Sequence, residues 1–371
     1  MVNGKLTNNP ADVAEALNYY FADSVVKITQ CFSPQYTEVC PVNTVEQALT
    51  LSLKCQKNNS LKPSRAKDIF SMDVVMLKEL SESLVNPITD IINLSVSQGM
   101  FHAWKSSVIV PIFKRGDPHS ASNYRPISIL PIVSKVAEKL MAAQITNYLN
   151  NSSFALHPMQ FGFRANFSTE MANCYFTEKV KSLLDKGRVV GVVFLDLRRA
   201  FDTVNHRILM FKLLGFNFSL DTIRWIESYL AGHPQYVSIQ NYKSAPISIS
   251  TGVPQGSILG PLLFMLYVNG LPSICPNTNI QMYADDTVIY IHRSSISQVA
   301  SEPTESLVHV TAWLEQCCLQ LNISKTVCMF FTKTNSSSVV PDVFVSGERL
   351  QVVSEYKYLC VLIYSRLSFK A

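Results

Sequence analysis

The sequence predicts an α+β fold built on a mostly antiparallel sheet, on the strength of three observations. Short β-rich apolar runs alternate with stretches of helical periodicity, but without the regular β-α-β rhythm of a parallel sheet. Two of the apolar runs end in aspartate, Val189–Leu195 before Asp196 and Asn279–Met282 before Asp285 and Asp286. The 371 residues are 47% apolar and 10% aromatic, enough for a sizeable core divided among two or three structural units, which excludes disorder of the chain as a whole.

In chain order, Asp12–Val26 carries apolar residues at helical spacing, and Cys31–Ser60, richer in Pro, Thr, Asn and Ser, reads as a linker. Val74–Met100 again has helical spacing, ended near Gly99. Ser107–Phe113 is a strand broken by Pro111, followed by the polar loop RGDPHSASNY, so a hairpin with a long basic tip is expected. Helices are expected at Ser134–Asn150 and Glu178–Asp185, the strand Val189–Leu195 follows, then helices at Val204–Leu214 and Leu220–Leu230. Strands at Tyr236–Gln240 and Ile247–Ser250 lead to a helix over Ser257–Leu266. Asn279–Met282 and Thr287–Ile291 form a hairpin about Ala284-Asp285-Asp286. A helix at Val299–Leu319 precedes strands at Val327–Thr332, Val343–Ser346 and Tyr356–Tyr364. No internal repeat interrupts this order.

Charged residues make up 16% of the chain, below the roughly 25% of a typical soluble domain, so part of the apolar surface is expected to be covered. The net charge of +5 permits a nucleic-acid partner without demanding one. It is concentrated: between Phe101 and Leu140, Lys105, Lys114, Arg115, Arg125, Lys135 and Lys139 face only Asp117 and Glu138. Nine cysteines, an odd count without a C-x-x-C pair, argue against a disulfide framework and a structural zinc site. The N-terminal residues carry no apolar leader, and the longest apolar runs fall short of the ~20 residues that span a bilayer. A reducing intracellular location, cytoplasmic or nuclear, and no membrane partner are therefore expected.

Strand-end carboxylates lie against apolar core, where an unpaired charge is expensive. A divalent cation resolves that cost: Mg²⁺ takes one or two carboxylates plus substrate phosphates, and a pair of such ions supports in-line phosphoryl displacement. The same residues also fit a plain hairpin turn at Asp285-Asp286 and a helix cap at Asp196. The segment Thr251–Pro261 (TGVPQGSILGP) shifts the balance. Its three glycines give a backbone that something can approach closely, and Ser257 can cap the apolar helix that follows.

The order LDLRRAFD, TGVPQGSILGP, YADD resembles the palm motifs of reverse transcriptases, specifically those of non-LTR (LINE-type) retrotransposons. FKRGDPHSASNYRPISILP and HPMQFGFRANFST are similar to the family's fingers segment and the stretch after it; LNISKTVCMFF and YKYLCVLIYSRLSF are similar to the region where palm meets thumb. The resemblance covers roughly residues 60–371. It implies a right-hand polymerase with fingers and an antiparallel palm sheet packed on helices, divided as an N-terminal helix and linker (1–60), fingers with part of the palm (61–190), palm (191–340) and the start of a thumb or primer-grip region (341–371).

By the same resemblance, Asp196 and Asp285 bind two Mg²⁺ ions with Asp286 assisting, and the partners are an RNA template, a DNA primer and deoxynucleoside triphosphates. Phe201 holds the steric-gate position against a ribose 2′-hydroxyl, and Gln255 and Gly256 lie against the templating base and incoming nucleotide. Lys114 and Arg125 clamp the triphosphate, and Lys325 protonates pyrophosphate; solvated surface charges are the plain alternative for these cations, and core packing for Phe201. Rival functions are an RNA-dependent RNA polymerase, against which Phe201 argues, and a catalytically inactive nucleic-acid-binding remnant. Two departures stand out: Cys360 replaces a glycine common in Y-L-G-V, and Ala66 and Ile69 replace glycines in KPSRAKDIFSMD. The resemblance also leaves thumb and endonuclease domains of a longer parent outside this sequence, so the chain is expected to bind nucleic acid but to extend primers poorly.

Overall fold

The computed structural model describes residues 8–30, 61–101, 104–240, 242–275, 278–333 and 342–367. The chain begins with α1 (Pro10–Thr29), α2 (Val74–Glu79), α3 (Ser81–Ser97), the strands β1 (Ser107–Phe113) and β2 (Tyr124–Ile129), α4 (Ile132–Asn151) and α5 (Thr169–Asp185). It continues through β3 (Val189–Leu195), α6 (His206–Gly215), α7 (Leu220–Leu230), β4 (His233–Ile239), β5 (Tyr242–Lys243), β6 (Ile247–Ile249) and α8 (Leu259–Val268). The remainder is β7 (Asn279–Tyr283), β8 (Asp286–Arg293), α9 (Ile296–Gln316), β9 (Val327–Phe331), β10 (Phe344–Val345), β11 (Glu348–Arg349), β12 (Gln351–Val352), β13 (Glu355–Tyr358) and β14 (Val361–Tyr364). The expected linker at Cys31–Ser60 lies outside the described residues. The fold is mixed α and β, as expected, and most of its strand pairs are antiparallel; β1 with β4 and β9 with β12 are parallel.

Two compact units result, one of Met1–Ala155 with Phe201–Leu266, the other of Leu156–Ala200 with Tyr267–Ala371. In the first, β2, β1, β4 and β5 form a sheet in that order, with β6 also on β4. Asn9 caps α1 by accepting from the Ala11 amide at 3.1 Å, and Pro10 fits the first turn, where its missing N–H costs nothing. The helix then lays Ala14, Leu17 and Phe21 on Ile109 of β1 and Val237 of β4. One polar residue on that face, Asn18, is fully buried and satisfied: its amide donates to Ser244 Oγ at 2.9 Å and the Ala245 carbonyl at 2.8 Å, and accepts from Gln235 Nε2 at 2.9 Å.

The expected single helix over 74–100 is broken at Leu80, whose φ −94° and ψ 9° end α2 and open α3. The apolar periodicity runs straight through this break, so spacing cannot reveal it. Gly99 closes the segment with φ +60°, as a terminal glycine does.

The second unit is organised by β3, the middle strand of the order β12-β9-β3-β8-β7. Its residues VVGVVFL are buried on both faces, which explains a continuous apolar run instead of alternation. On one face, Val190, Val192 and Phe194 meet Val288 and Tyr290 of β8, Met329 and Phe331 of β9, and Phe176, Val180 and Leu184 of α5. α9 packs across the strand at Gly191, where a Cβ would stand 2.5 Å from Val299 Cγ1. Only glycine admits the helix at that distance.

The strand expected over Tyr356–Tyr364 is instead a hairpin, β13 pairing with β14 from Glu355↔Tyr364 to Tyr358↔Val361. Its two-residue turn, Leu359-Cys360, has φ of 44° and 68°. Such a turn ordinarily carries Asn-Gly, and without those residues the sequence does not mark it. Cys360→Gly is expected to raise stability by about 1 kcal/mol, because a left-handed non-glycine residue costs roughly that much. Denaturant titration of the two proteins checks this, and a destabilised variant would contradict it.

Candidate active site

The carboxylates lie in the second unit and are placed by strand register. β3 and β8 pair from Val189↔Arg293 to Leu195↔Thr287, so the next rung sets Asp196 opposite Asp286. Side chains alternate along a strand, and the two aspartates therefore continue the row of Val192, Phe194 and Val288. Asp285 sits with Ala284 in the two-residue turn closed by the Tyr283↔Asp286 pair. Asp196 and Asp285 are half-buried and Asp286 is exposed. Beside them, the ring of Tyr356 stacks on Phe194 with centroids 4.3 Å apart. Its phenol is pushed above the ordinary tyrosine range by burial first and then by the negative charges of Asp286 and Asp196. Two carboxylates thus bear on one aromatic ring at one end of the sheet.

Asp196 is fixed by the turn that precedes β9. Asn322 donates its backbone amide to the Asp196 carbonyl at 2.7 Å and its side-chain amide to Asp196 Oδ2 at 2.8 Å. Thr326 Oγ1 accepts from the Asp196 amide at 3.2 Å and donates to the Asn322 carbonyl at 3.0 Å. Lys325 is exposed in this same turn. Nothing in the pattern NISKT distinguishes Asn322 from a turn residue until β3 and β9 are seen to be neighbours.

These are hard oxygen donors, the set that suits Mg²⁺. Among the described residues no three His, Cys, Asp or Glu side chains form a group that could hold a metal ion by themselves. A pair of carboxylates that leaves the other coordination positions to water and phosphate is the usual Mg²⁺ arrangement, and the donor set fits that ion.

The glycine-rich loop lies in the first unit. Gly252 (φ +82°) is pressed on Asp202, where a Cβ would stand 2.4 Å from the carbonyl, and Gly256 (φ +111°) on the Ser128 carbonyl, at 2.7 Å. What approaches these glycines closely is the protein's own backbone. Gln255 is held at both ends: its carbonyl accepts from the Ser128 amide at 2.7 Å and its side-chain amide donates to Asp202 Oδ1 at 2.6 Å. Phe201, adjacent to Asp202, stacks on Phe264 of α8 with centroids 4.4 Å apart and 28° between planes, so its ring direction is set by a helix.

Ser257 caps α8 by accepting from the Gly260 amide at 3.0 Å. The stronger anchor is Glu138 of α4, fully buried, whose carboxylate accepts from the Ile258 and Leu259 amides at 2.7 and 3.1 Å and from the Ser134 hydroxyl at 2.9 Å. An acidic group at a helix N-terminus is electrostatically favoured. Burial nevertheless dominates and raises the Glu138 pKa, opposed by those three hydrogen bonds. The fold therefore holds this proton more tightly than the unfolded chain does. Its contribution to stability is complete below the ordinary glutamate range near pH 4 and is lost as pH rises, by at most about 1.4 kcal/mol per pH unit. Glu138→Gln, whose carbonyl can accept both amides while its NH₂ faces Ser134, is expected to remove this component from stability measured across pH 4–7. An unchanged pH dependence would contradict it.

Lys114 and Arg125 both lie on the β1–β2 hairpin. Ile112 pairs with Arg125 and the Lys114 amide donates to the Asn123 carbonyl, so the two cations share one face on diagonal rungs. Both are exposed. Asp196 at the end of β3, Asp285 and Asp286 at the β7–β8 turn, and Lys325 in the turn that holds Asp196 all lie in the second unit. Phe201, Gln255 and Gly256 share one loop system of the first unit, and Lys114 and Arg125 share one hairpin there. No helix among the described residues is long and apolar enough to cross a membrane.

The family profile described as reverse transcriptase (RNA-dependent DNA polymerase) matches residues 112–363, spanning all of these positions. The chain is 32% identical over 276 residues to the probable RNA-directed DNA polymerase from transposon BS of Drosophila melanogaster, covering 72% of this chain and 30% of that protein. It is 30% identical over 319 residues to the RNA-directed DNA polymerase from mobile element jockey of the same organism, covering 83% of this chain and 34% of that one. The Pol polyprotein from the type-1 retrotransposable element R1 of Bradysia coprophila is 27% identical over 278 residues. The chain thus spans about a third of the length of the first two relatives. A profile match over most of the chain, on the segments that carry the paired strand-end aspartates and the glycine-rich loop, establishes that this protein belongs to the reverse transcriptase family.

Proposed function

We propose that this chain is the polymerase portion of a non-LTR retrotransposon protein and catalyses RNA-templated addition of deoxynucleotides to a DNA primer. The observation that carries the reading is the register of β3 against β8, which ends with Leu195 opposite Thr287 and so brings Asp196 to the same end of the sheet as the Asp285–Asp286 turn, in a chain of this family. In this reading the β1–β2 hairpin belongs to the fingers and the five-stranded sheet about β3 is the palm.

The primer 3′-hydroxyl gives up its proton to solvent, its oxygen forms a bond to the α-phosphorus, the bond from that phosphorus to the oxygen bridging to the β-phosphate breaks, and pyrophosphate leaves. Two Mg²⁺ ions, when bound, activate the 3′-hydroxyl and stabilise the charge that develops on the leaving oxygen. Asp196, Asp285 and Asp286 supply the carboxylate ligands, and Asn322 keeps Asp196 from turning away. Arg125 offers a planar fork to phosphate oxygens and Lys114 a compact charge. Lys325 delivers a proton to the departing pyrophosphate. Phe201, held by Phe264, excludes a ribose 2′-hydroxyl, and Gln255 and Gly256 bear on the templating base and incoming nucleotide.

Extension of oligo(dT) on poly(rA) by a large excess of the protein, with Mg²⁺ and either thymidine triphosphate or uridine triphosphate, tests the reading. Slow, template-dependent addition of the deoxynucleotide is expected. Binding of the hybrid without any incorporation would assign the chain to the nucleic-acid-binding alternative, and preferential use of ribonucleotides to an RNA polymerase.

A further inference from the structure

The turn that carries Asp285 is braced from behind by a segment to which no role has yet been assigned. Residues Met159–Phe161 run parallel to β7: the Met282 amide donates to the Met159 carbonyl at 2.9 Å, and the Phe161 amide to the Met282 carbonyl at 2.8 Å. Between them stands Gln160, fully buried. Its Oε1 accepts from two backbone amides, Gly162 at 2.9 Å and Ala284 at 3.1 Å. Two donors on one atom identify that atom as the amide oxygen.

Ala284 needs such a partner. It immediately precedes Asp285 and adopts φ +58°, which alanine does not favour. The fit behind it is close enough that a Cβ on Gly162 would stand 2.4 Å from the Ala284 nitrogen. The bracing segment is itself fixed: Arg164 donates to the His157 and Gln160 carbonyls at 3.2 and 3.0 Å while lying over the Phe167 ring at 4.3 Å. Gln160 Nε2, by contrast, has no hydrogen-bond partner although it is buried. Only the oxygen of this buried amide is used, and one of its two hydrogen bonds goes to the turn.

We infer that Gln160 is a positioning residue for the carboxylates: by accepting from the Ala284 amide it locks the left-handed turn conformation that presents Asp285 and Asp286 toward the position of Asp196. This rests on the proposed metal-binding role of those aspartates. Removing the acceptor frees Ala284 to relax to right-handed angles, which rotates the Asp285 peptide and spoils joint ligation, while β7 and β8 remain paired through their own ladder.

Binding of Mn²⁺ to the whole chain, followed by electron paramagnetic resonance of the free ion, is the test. Asp196→Asn serves as the control and Gln160→Met, of similar shape without the acceptor, as the probe. Gln160→Met is expected to weaken Mn²⁺ binding at least tenfold with native circular dichroism, a change that simple loss of packing stability would not produce. If Gln160→Met does not fold, Gln160→Asn, which withdraws the acceptor by one methylene, is read by the same criterion. Affinity unchanged by the Gln160 variant but lost in Asp196→Asn overturns the inference alone. Affinity unchanged in both overturns the carboxylate site and the inference with it.

Discussion

Asp196→Asn is expected to reduce single-nucleotide addition by about a thousandfold or more while leaving the fold intact. Divalent ions contribute several kcal/mol to stabilising a phosphoryl-transfer transition state, and each 1.36 kcal/mol is a factor of ten in rate. Asparagine keeps the shape of the side chain and still offers an oxygen to Asn322 Nδ2, so the turn from Leu321 to Thr326 has no reason to open. What it loses is the charge. Removing that charge also takes away one of the two carboxylates that raise the Tyr356 phenol, whose titration should move down toward the ordinary range. Rapid-quench measurement under protein excess reads the rate, and absorbance titration reads the phenol. A variant within tenfold of the parent would show that Asp196 serves the Asn322–Thr326 turn and nothing more.

Phe201→Val is expected to lower discrimination against ribonucleotides by roughly 10- to 100-fold, the range that fit within a pocket supplies when no hydrogen bond is at stake. The stack of Phe201 on Phe264 bears directly on the size of this effect. A ring held by a buried helical neighbour cannot swing aside for an added hydroxyl, so the exclusion comes from a fixed wall. Valine shortens that wall. Competitive incorporation of matched ribo- and deoxynucleotides by wild type and variant gives the ratio directly. An unchanged ratio would assign the ring to packing against α8 alone.

How much of this was legible in the sequence follows from what each residue's role depends on. β3 was legible to the residue because its run VVGVVFL is bounded by polar residues and its burial on both faces leaves no alternation to misread. The placement of Asp196 at a strand end and of Asp285 in a hairpin turn was legible because each follows an apolar run. The glycines of the loop were legible as sites of close approach, but the partner was not. That Gly252 and Gly256 receive the backbones of Asp202 and Ser128 depends on contacts made far along the chain. Asn322, Gln160 and Glu138 were missed for the same reason. Each is an ordinary polar residue locally, and its meaning comes from a partner 120 or more residues away. The breaks at Leu80 and at Leu359-Cys360 were missed because nothing in their residue types announces them; the backbone adopts both under tertiary constraint.

In the proposed reaction, Asp196 and the Asp285–Asp286 turn jointly bind the divalent ions of nucleotidyl transfer. Crystals of the protein with Mn²⁺, a primer–template and a non-hydrolysable deoxynucleotide, measured at the manganese edge, test it most directly. Anomalous peaks are expected within about 2.0–2.3 Å of carboxylate oxygens of both Asp196 and Asp285, a range typical of small hard divalent ions. Manganese bound elsewhere, or held by one of the two strand ends without the other, would contradict it.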